Sequence, residues 1–535
     1  MIESRVGQLP AEQAELVRTA AIIGVVVPVW LLERLTGYRE DHPLVRELAE
    51  RDLLFGGTAE GTLRFKHGVT REVIYQSVGL RWREEVHLRV AQLLEERHEV
   101  EGQDDVLESL AYHYRAAARP DRAADYAERA GDKAIAAAAL DRARAQYSAA
   151  LELIETNDDN YPRWVSIAQR LGLACVYDPG RAHLPILQRA VSLAAARGDQ
   201  AALARAQYWL GYIHYALGDV SLGISYCEQA RESSAHALAD ARARGQESVT
   251  VELEAHAVQV LATLGQARAA ACEYDGVLEQ LEEAIAIKRR HRRGARPAVG
   301  SAYTLACRAA VLADLGRFRE AHESLAEALD AVREGNQPVR GSILGWQGTV
   351  YAWQGEWAKA LALATEQQRI GERVESLYVL AVGQALGGYT RWKLKRAPEA
   401  IDAFARAVSW MDSRGKRLAI SMTYGWLADA MFESGRYAQA RVYVARALRR
   451  ARQRDRFGEA LAYRVMARMP ADFRRHSPEH YLERAMTSAR ARRSPHEEAE
   501  TLRCQAEVAA AAGRTAEAAM FDARAQALIS AFDSV

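Results

Sequence analysis

The residues best placed to do chemistry stand in RFKHGVTREVIYQSV, residues 64–78. His67 lies between Lys66 and Gly68, after an apolar strand-like run and before a helix-like one. Imidazole titrates near neutral pH, so a histidine there could be a base, a metal ligand, a switch contact or a plain turn residue. Catalysis or metal binding would need a second group. PHEEAE around His496 and HSPEH around His476 miss the HExxH spacing that sets two imidazoles on one helical face. Cys175, Cys227, Cys272, Cys307 and Cys504 are far apart and form no CxxC pair. That pattern argues against a zinc site and a disulfide framework, and fits a reducing cytoplasm. The sequence contains no GxxxxGK[ST], no GxGxxG after a strand and no GxSxG elbow. It reads as a non-enzyme, with no catalytic residue, no metal and no cofactor of its own.

The elements that would position His67 come first in the chain. LPAEQAELVRTAAIIG reads as a helix, PVWLLERLTG as a second closed by Gly37, and HPLVRELAERDLL as a third. LLF and LRF then flank GGTAEG, a hairpin signal. Three helices followed by a hairpin is the winged-helix order, assigned to residues 1–78, with a connecting helix over 79–104. The most apolar stretch, AAIIGVVVPVWLL, spans thirteen residues. A membrane-spanning helix needs about twenty. Pro28 should start the second helix, making the stretch two buried helical segments joined by a turn.

Beyond residue 79 strand signals vanish and an internal repeat takes over. The turns GDVSLG (218), CEYDGV (272), GRFREA (316), GEWAKA (355), KRAPEA (395), GRYAQA (435) and GRTAEA (513) align. From 316 the steps are 39, 40, 40 and 78, the last being two periods. Seven residues before these turns stand Gly211, Gly265, Ala309, Gly348, Gly388, Ala428 and Ala506. Twelve after them stand Ala230, Ala284, Ala328, Ala407, Ala447 and Ala525, with Gln367 the exception. Small residues let helices approach closely, while Tyr274, Phe318, Trp357 and Tyr437 fill the space between hairpins. The expected fold is therefore all-α, a superhelix of helical hairpins over residues 105–535 behind the small winged helix. Its clearest repeats lie at 205–460 and its last at 500–530. The pattern resembles the tetratricopeptide (TPR) repeat, with a longer step and hence longer helices.

In such an array the first helix of each hairpin lines the concave face. Counting back from the turns places Tyr208, Tyr212, Tyr215, Trp353, Tyr389, Trp392, Lys393, Asp429 and Phe432 there. Aromatic rings with a few charges suit a protein or peptide partner. Nucleic acid and membrane are disfavoured as partners, because Lys+Arg total 71 against 70 Asp+Glu, a net charge of +1. The basic runs KRRHRRGAR (288–296, with Arg289, Arg290, Arg292 and Arg293) and RALRRARQRDR (446–456) read as helix ends whose cations offset the helix dipole. The would-be recognition helix, 41–55, carries Asp41, Glu47, Glu50 and Asp52 against Arg46 and Arg51, which argues against a transcriptional regulator.

LVRELAERDLLF, LRFKHGVTREVIYQSV, REEVHLRVAQLLEER, LESLAYHY and RAADYAERAGDKA form a series up to residue 154. It resembles the segment after the nucleotide-binding domain in bacterial STAND-type ATPases, above all those related to class III adenylate/guanylate cyclases with a TPR-rich tail. The resemblance implies a cytoplasmic signalling module whose repeats sense a partner, with a nucleotide-binding domain supplied in trans. The alternative is the tail of a nucleotide-hydrolysing or cyclase-type enzyme whose catalytic domains are encoded upstream or lost. In that family a histidine at the end of the winged helix contacts nucleotide phosphates. The resemblance therefore makes His67, with Lys66 beside it, a candidate nucleotide sensor.

Overall fold

The computed structural model describes residues 8–39, 41–57, 59–101, 104–176, 179–290, 299–333 and 337–532. It divides into two compact units, Met1–Cys175 and Val176–Val535. Among the described residues no helix is long and apolar enough to cross a membrane.

The first unit opens with α1 (Ala11–Ile23), β1 (Val26–Pro28), α2 (Val29–Thr36), α3 (Pro43–Glu50), β2 (Leu54–Gly56) and β3 (Thr62–Phe65). Then come α4 (Gly68–Ser77) and α5 (Leu80–Glu101). Here the expectation of two helices joined by a simple turn is corrected. Val25-Val26-Val27 is a β-branched run, and Val26–Pro28 pairs antiparallel with Thr62–Arg64, giving a three-stranded sheet of order β1-β3-β2. Pro28 is tolerated because β1 is an edge strand. Gly37, at φ 79°, ends α2 in the left-handed conformation. Leu16, Ile22, Val27, Leu31, Leu48, Leu63 and Ile74 form the core under the sheet.

Four further helices complete that unit: α6 (Leu107–Ala116), α7 (Pro120–Ala136), α8 (Leu140–Leu153) and α9 (Tyr161–Ala174). In α7 proline starts the helix, and Ala123, Ala127, Ala130 and Ala134 bury one stripe.

The second unit begins with α10 (Leu184–Arg197) and continues as hairpins. These are α11 (Gln200–Ala216) with α12 (Val220–Ala243), α13 (Glu247–Ala270) with α14 (Val277–Arg290), and α15 (Val299–Asp314) with α16 (Phe318–Ala331). Next come α17 (Gln337–Trp353) with α18 (Trp357–Arg373), and α19 (Leu377–Lys395) with α20 (Pro398–Ser413). The last are α21 (Ile420–Glu433) with α22 (Tyr437–Ala451), α23 (Glu459–Arg468) with α24 (Pro478–Ala491), and α25 (Pro495–Ala511) with α26 (Thr515–Ser530). The turn glycines 218, 316, 355, 435 and 513 all adopt φ between 76° and 81°, which is why that register is so visible in the sequence. In the copy at 395 the left-handed residue is Arg396 instead. Small residues seven before the turn do the work expected of them: a Cβ on Gly388 would come 2.6 Å from that of Phe404. The first helices of consecutive hairpins, α13 through α25, touch one another and form the inner layer. The class is all-α, and this unit is a TPR-like superhelix of helical hairpins.

Candidate functional site: the inner face of the repeat unit

The inner layer encloses a cavity of about 590 Å³. Successive first helices supply its wall: Trp353 from α17, Tyr389 and Lys393 from α19, Trp426 and Asp429 from α21, Arg464 and Arg468 from α23, and Glu497 and Arg503 from α25. Trp357, at the start of α18, joins them. One repeat position builds much of this surface. Tyr389, Asp429, Arg468 and Glu507 follow one another at steps of 40, 39 and 39 residues. The Tyr389 hydroxyl donates to Asp429 Oδ2 at 3.0 Å. Lys393 Nζ sits 2.6 Å from the same oxygen, and Arg468 Nη2 donates to Oδ1 at 2.6 Å. Burial alone would raise the Asp429 pKa, but Lys393 and Arg468 outweigh it and hold the carboxyl well below the usual carboxylate range. Asp429 is thus a fixed, ionised brace between three hairpins.

Of the nine residues expected on the concave face, Trp353, Tyr389, Lys393 and Asp429 line this cavity. The other five do not, and each has a packing reason. Tyr208 is buried against Trp209 and His256. Tyr212 donates its hydroxyl to the Val176 carbonyl. Tyr215 borders a separate small cavity beside Cys307 and Trp346. Trp392 is buried and donates its indole N–H to Glu433 at 2.7 Å. Phe432 packs on Tyr437, with the Arg468 guanidinium over its ring. Sequence reasoning missed Arg464, Arg468 and Arg503, although the step from Asp429 to position 468 carried the signal for Arg468.

The same face is closed by contacts between distant hairpins. Asp314, at the end of α15, has no exposed surface and accepts from Arg492 Nη2 at 2.7 Å and Nε at 3.1 Å. Ser494 Oγ donates to it at 2.7 Å, His496 Nε2 lies 2.9 Å away, and the Tyr274 hydroxyl also donates to it. Arg454 reaches Glu273 at 2.8 Å, Arg450 donates to the Gly218 carbonyl, and Lys416 donates to the Pro179 carbonyl at 3.1 Å. Apart from Tyr274, one repeat away from Asp314, the partners are 178 to 237 residues apart, so one superhelical turn takes roughly five repeat steps. This revises the basic run at 446–456. Arg446 pairs with Asp412 at 2.9 Å, and Arg450 and Arg454 clamp earlier turns rather than merely offsetting a helix dipole. Arg289 pairs with Glu327, while Arg292 and Arg293 lie outside the described residues. His496 links closure to the cavity, since its ring stacks 4.9 Å from that of Trp353.

The wall offers recognition more readily than catalysis. Burial pushes the Cys504 thiol up to about 11, so it is no activated nucleophile. Among the described residues no group of three or more His, Cys, Asp or Glu side chains is placed to hold a metal. In the first unit His67 is the residue before α4, exposed, with no capping hydrogen bond from its side chain. Its carbonyl accepts from the Thr70 and Arg71 amides. Lys66 is exposed and pairs with Asp52 at 2.7 Å.

No family model and no curated protein matches the chain. Solved structures do. A Rap protein complexed with Competence and Sporulation Factor is similar over 77% of this chain and 99% of its own, at 14% identity and a TM-score of 0.38. The IFIT1 monomeric mutant with Gppp-AAAA is similar over 80% of this chain and 90% of its own, at 13% identity and 0.35. A Signal Transduction ATPase with Numerous Domains (STAND) protein with a tetratricopeptide repeat sensor, from Pyrococcus horikoshii, is similar over 99% of this chain and 67% of its own, at 12% identity and 0.28. At such scores none of them carries a residue role or an activity to this chain.

Proposed function

We propose that the chain is a non-catalytic recognition module of a signalling protein, whose repeat unit grips a peptide or protein segment in the cavity of its inner face. The observation that carries this reading is the cavity wall: consecutive first helices present Trp353, Trp357, Tyr389 and Trp426 beside fixed charges of both signs. Aromatic rings supply contact area at low entropic cost, and charges already held in ion pairs can orient a backbone without reorganising. The helix–sheet arrangement of α1 to α4 supports a winged helix. His67 and Lys66 on its surface are candidates for touching the phosphates of a nucleotide held by a STAND-type domain.

The test is selection from a phage-displayed random peptide library against the full chain and against Trp357→Ala and Arg503→Glu variants. Both positions lie on the cavity wall outside the tightest contacts. The wild type should enrich a peptide family that the two variants retain at least tenfold less well. Failure to enrich, or equal retention by both variants, would remove the cavity as the recognition site.

A further inference from the structure

One place in the repeat register breaks its own rule. Twelve residues after the turn the second helices carry alanine at 230, 284, 328, 407, 447 and 525, but glutamine at 367. Ala230, Ala284, Ala328 and Ala447 there are fully buried between helices. A carboxamide fits in the same place only if its neighbour recedes, and the neighbour is Gly345 of α17. A Cβ on Gly345 would come 2.7 Å from Gln367 Nε2. Gln367 is 1% exposed, and its Oε1 meets no hydrogen-bond partner within the protein. An unpaired buried amide oxygen is costly, so the substitution for alanine is not explained by packing.

Gln367 borders a cavity of about 80 Å³ between α15, α17, α18, α19 and α21. One water needs only roughly 10–15 Å³ of such space, so a small organic molecule fits. The rings of Tyr303, Trp346, Tyr378 and Trp426 form most of its aromatic wall, and among the described residues no charged side chain lines it. Two lining hydroxyls are committed to their own helix, Ser342 to the Pro338 carbonyl at 3.2 Å and Thr349 to the Gly345 carbonyl at 2.9 Å. An ion would lose its hydration here with no counter-charge, whereas a neutral ring would keep its contacts.

We propose that this inter-hairpin pocket binds a small uncharged ring compound that donates one N–H or O–H to the Gln367 carboxamide. The pocket is distinct from the large cavity but shares Met422 and Trp426 with its wall. A ligand here would therefore press on the surface that faces the peptide site.

Isothermal titration of the full chain with indole and with N-methylindole tests this, since the second ring lacks the donor. Indole should bind saturably, N-methylindole about tenfold more weakly, and Gln367→Ala should bind the two alike. Val382→Trp, which fills the pocket, should abolish binding of both. Urea unfolding then separates a ligand role from a structural one: Gln367→Ala should be no less stable than wild type, because it removes the unpaired amide. Absence of saturable indole binding, an unchanged indole preference in Gln367→Ala, or marked destabilisation by that substitution would each overturn the proposal. None of these outcomes bears on peptide enrichment by the large cavity, so the two readings fail separately.

Discussion

Asp314→Ala should open the repeat unit. The carboxylate and the Arg492 guanidinium are both wholly removed from solvent. Burial alone would raise the Asp314 pKa, but Arg492 and His496 outweigh it and hold the group well below the usual carboxylate range. Truncating it leaves Arg492 buried with Glu497 at 3.8 Å and the Phe457 carbonyl at 3.0 Å. Breaking a buried pair from one side costs about 3–5 kcal/mol, and the orphaned Ser494 and Tyr274 hydroxyls favour the upper end. That is a large share of the roughly 5–15 kcal/mol that holds an ordinary domain together. Urea unfolding of the full chain measures the loss, and small-angle scattering should show a larger radius of gyration, since the lost contacts join hairpins 178 residues apart. The double variant Asp314→Leu/Arg492→Met removes both charges and should recover most of the stability. The folded carboxyl is depressed, so its contribution is complete above the unfolded value of about 3.9 and disappears as pH falls below it. The single variant should lack that part of the acid limb. A loss below about 1 kcal/mol, or a double variant no better than the single, would refute the closure argument.

Further outcomes follow from other buried groups. His87 and His113 meet Nδ1 to Nδ1 at 2.8 Å, and Tyr75 contacts His87 Nε2 at 3.1 Å. Burial, then neighbouring charges that include Arg71, pushes His87 down to about 4; burial, then His87 and Arg71, pushes His113 down to about 3. Both are neutral when folded, so their contribution is complete above about pH 6.5 and declines as pH falls towards those values. For His87 alone this amounts to about 3 kcal/mol, and His87→Gln should flatten the pH dependence of unfolding in that window. Gly458→Ala should destabilise by about 2–4 kcal/mol in thermal unfolding, because its Cβ would collide with the Ser421 carbonyl; an unchanged melting temperature would contradict this. The five cysteines are buried, and burial pushes Cys227, Cys272 and Cys307 up to about 12. A thiol-exchange reagent should label none of them until the chain unfolds.

How far the sequence reveals this architecture depends on the range of the interaction. The turn glycines were legible because a left-handed residue is a local demand, satisfied within one peptide unit. Trp353, Tyr389, Lys393 and Asp429, counted back from the turns, lie on the cavity wall, where Asp429 meets Lys393 and Arg468 of the flanking hairpins and Trp353 stacks on the distant His496. Tyr208, Tyr212 and Tyr215 lie away from that wall, in contact with His256, Val176 and Cys307, partners that no local spacing announces. The repeat register also passed over Arg464 and Arg503, which keep the same register as Ala385 and Gly425, because the earlier copies carry small residues there and give no sign of charge. β1 was missed because a three-residue strand is specified by its pairing with Thr62–Arg64, not by its own length. Least legible was closure itself. Arg492 and Arg454 look like ordinary helix-end cations, and only the curvature of the array brings Asp314 and Glu273 to them. Each hairpin fixes a small rotation relative to the last, and those rotations, summed over roughly five repeats, decide which residues meet. The inner-face residues belong to single repeats, but the space they enclose is a property of the sum, and Asp314 with Arg492 fixes that sum at one value.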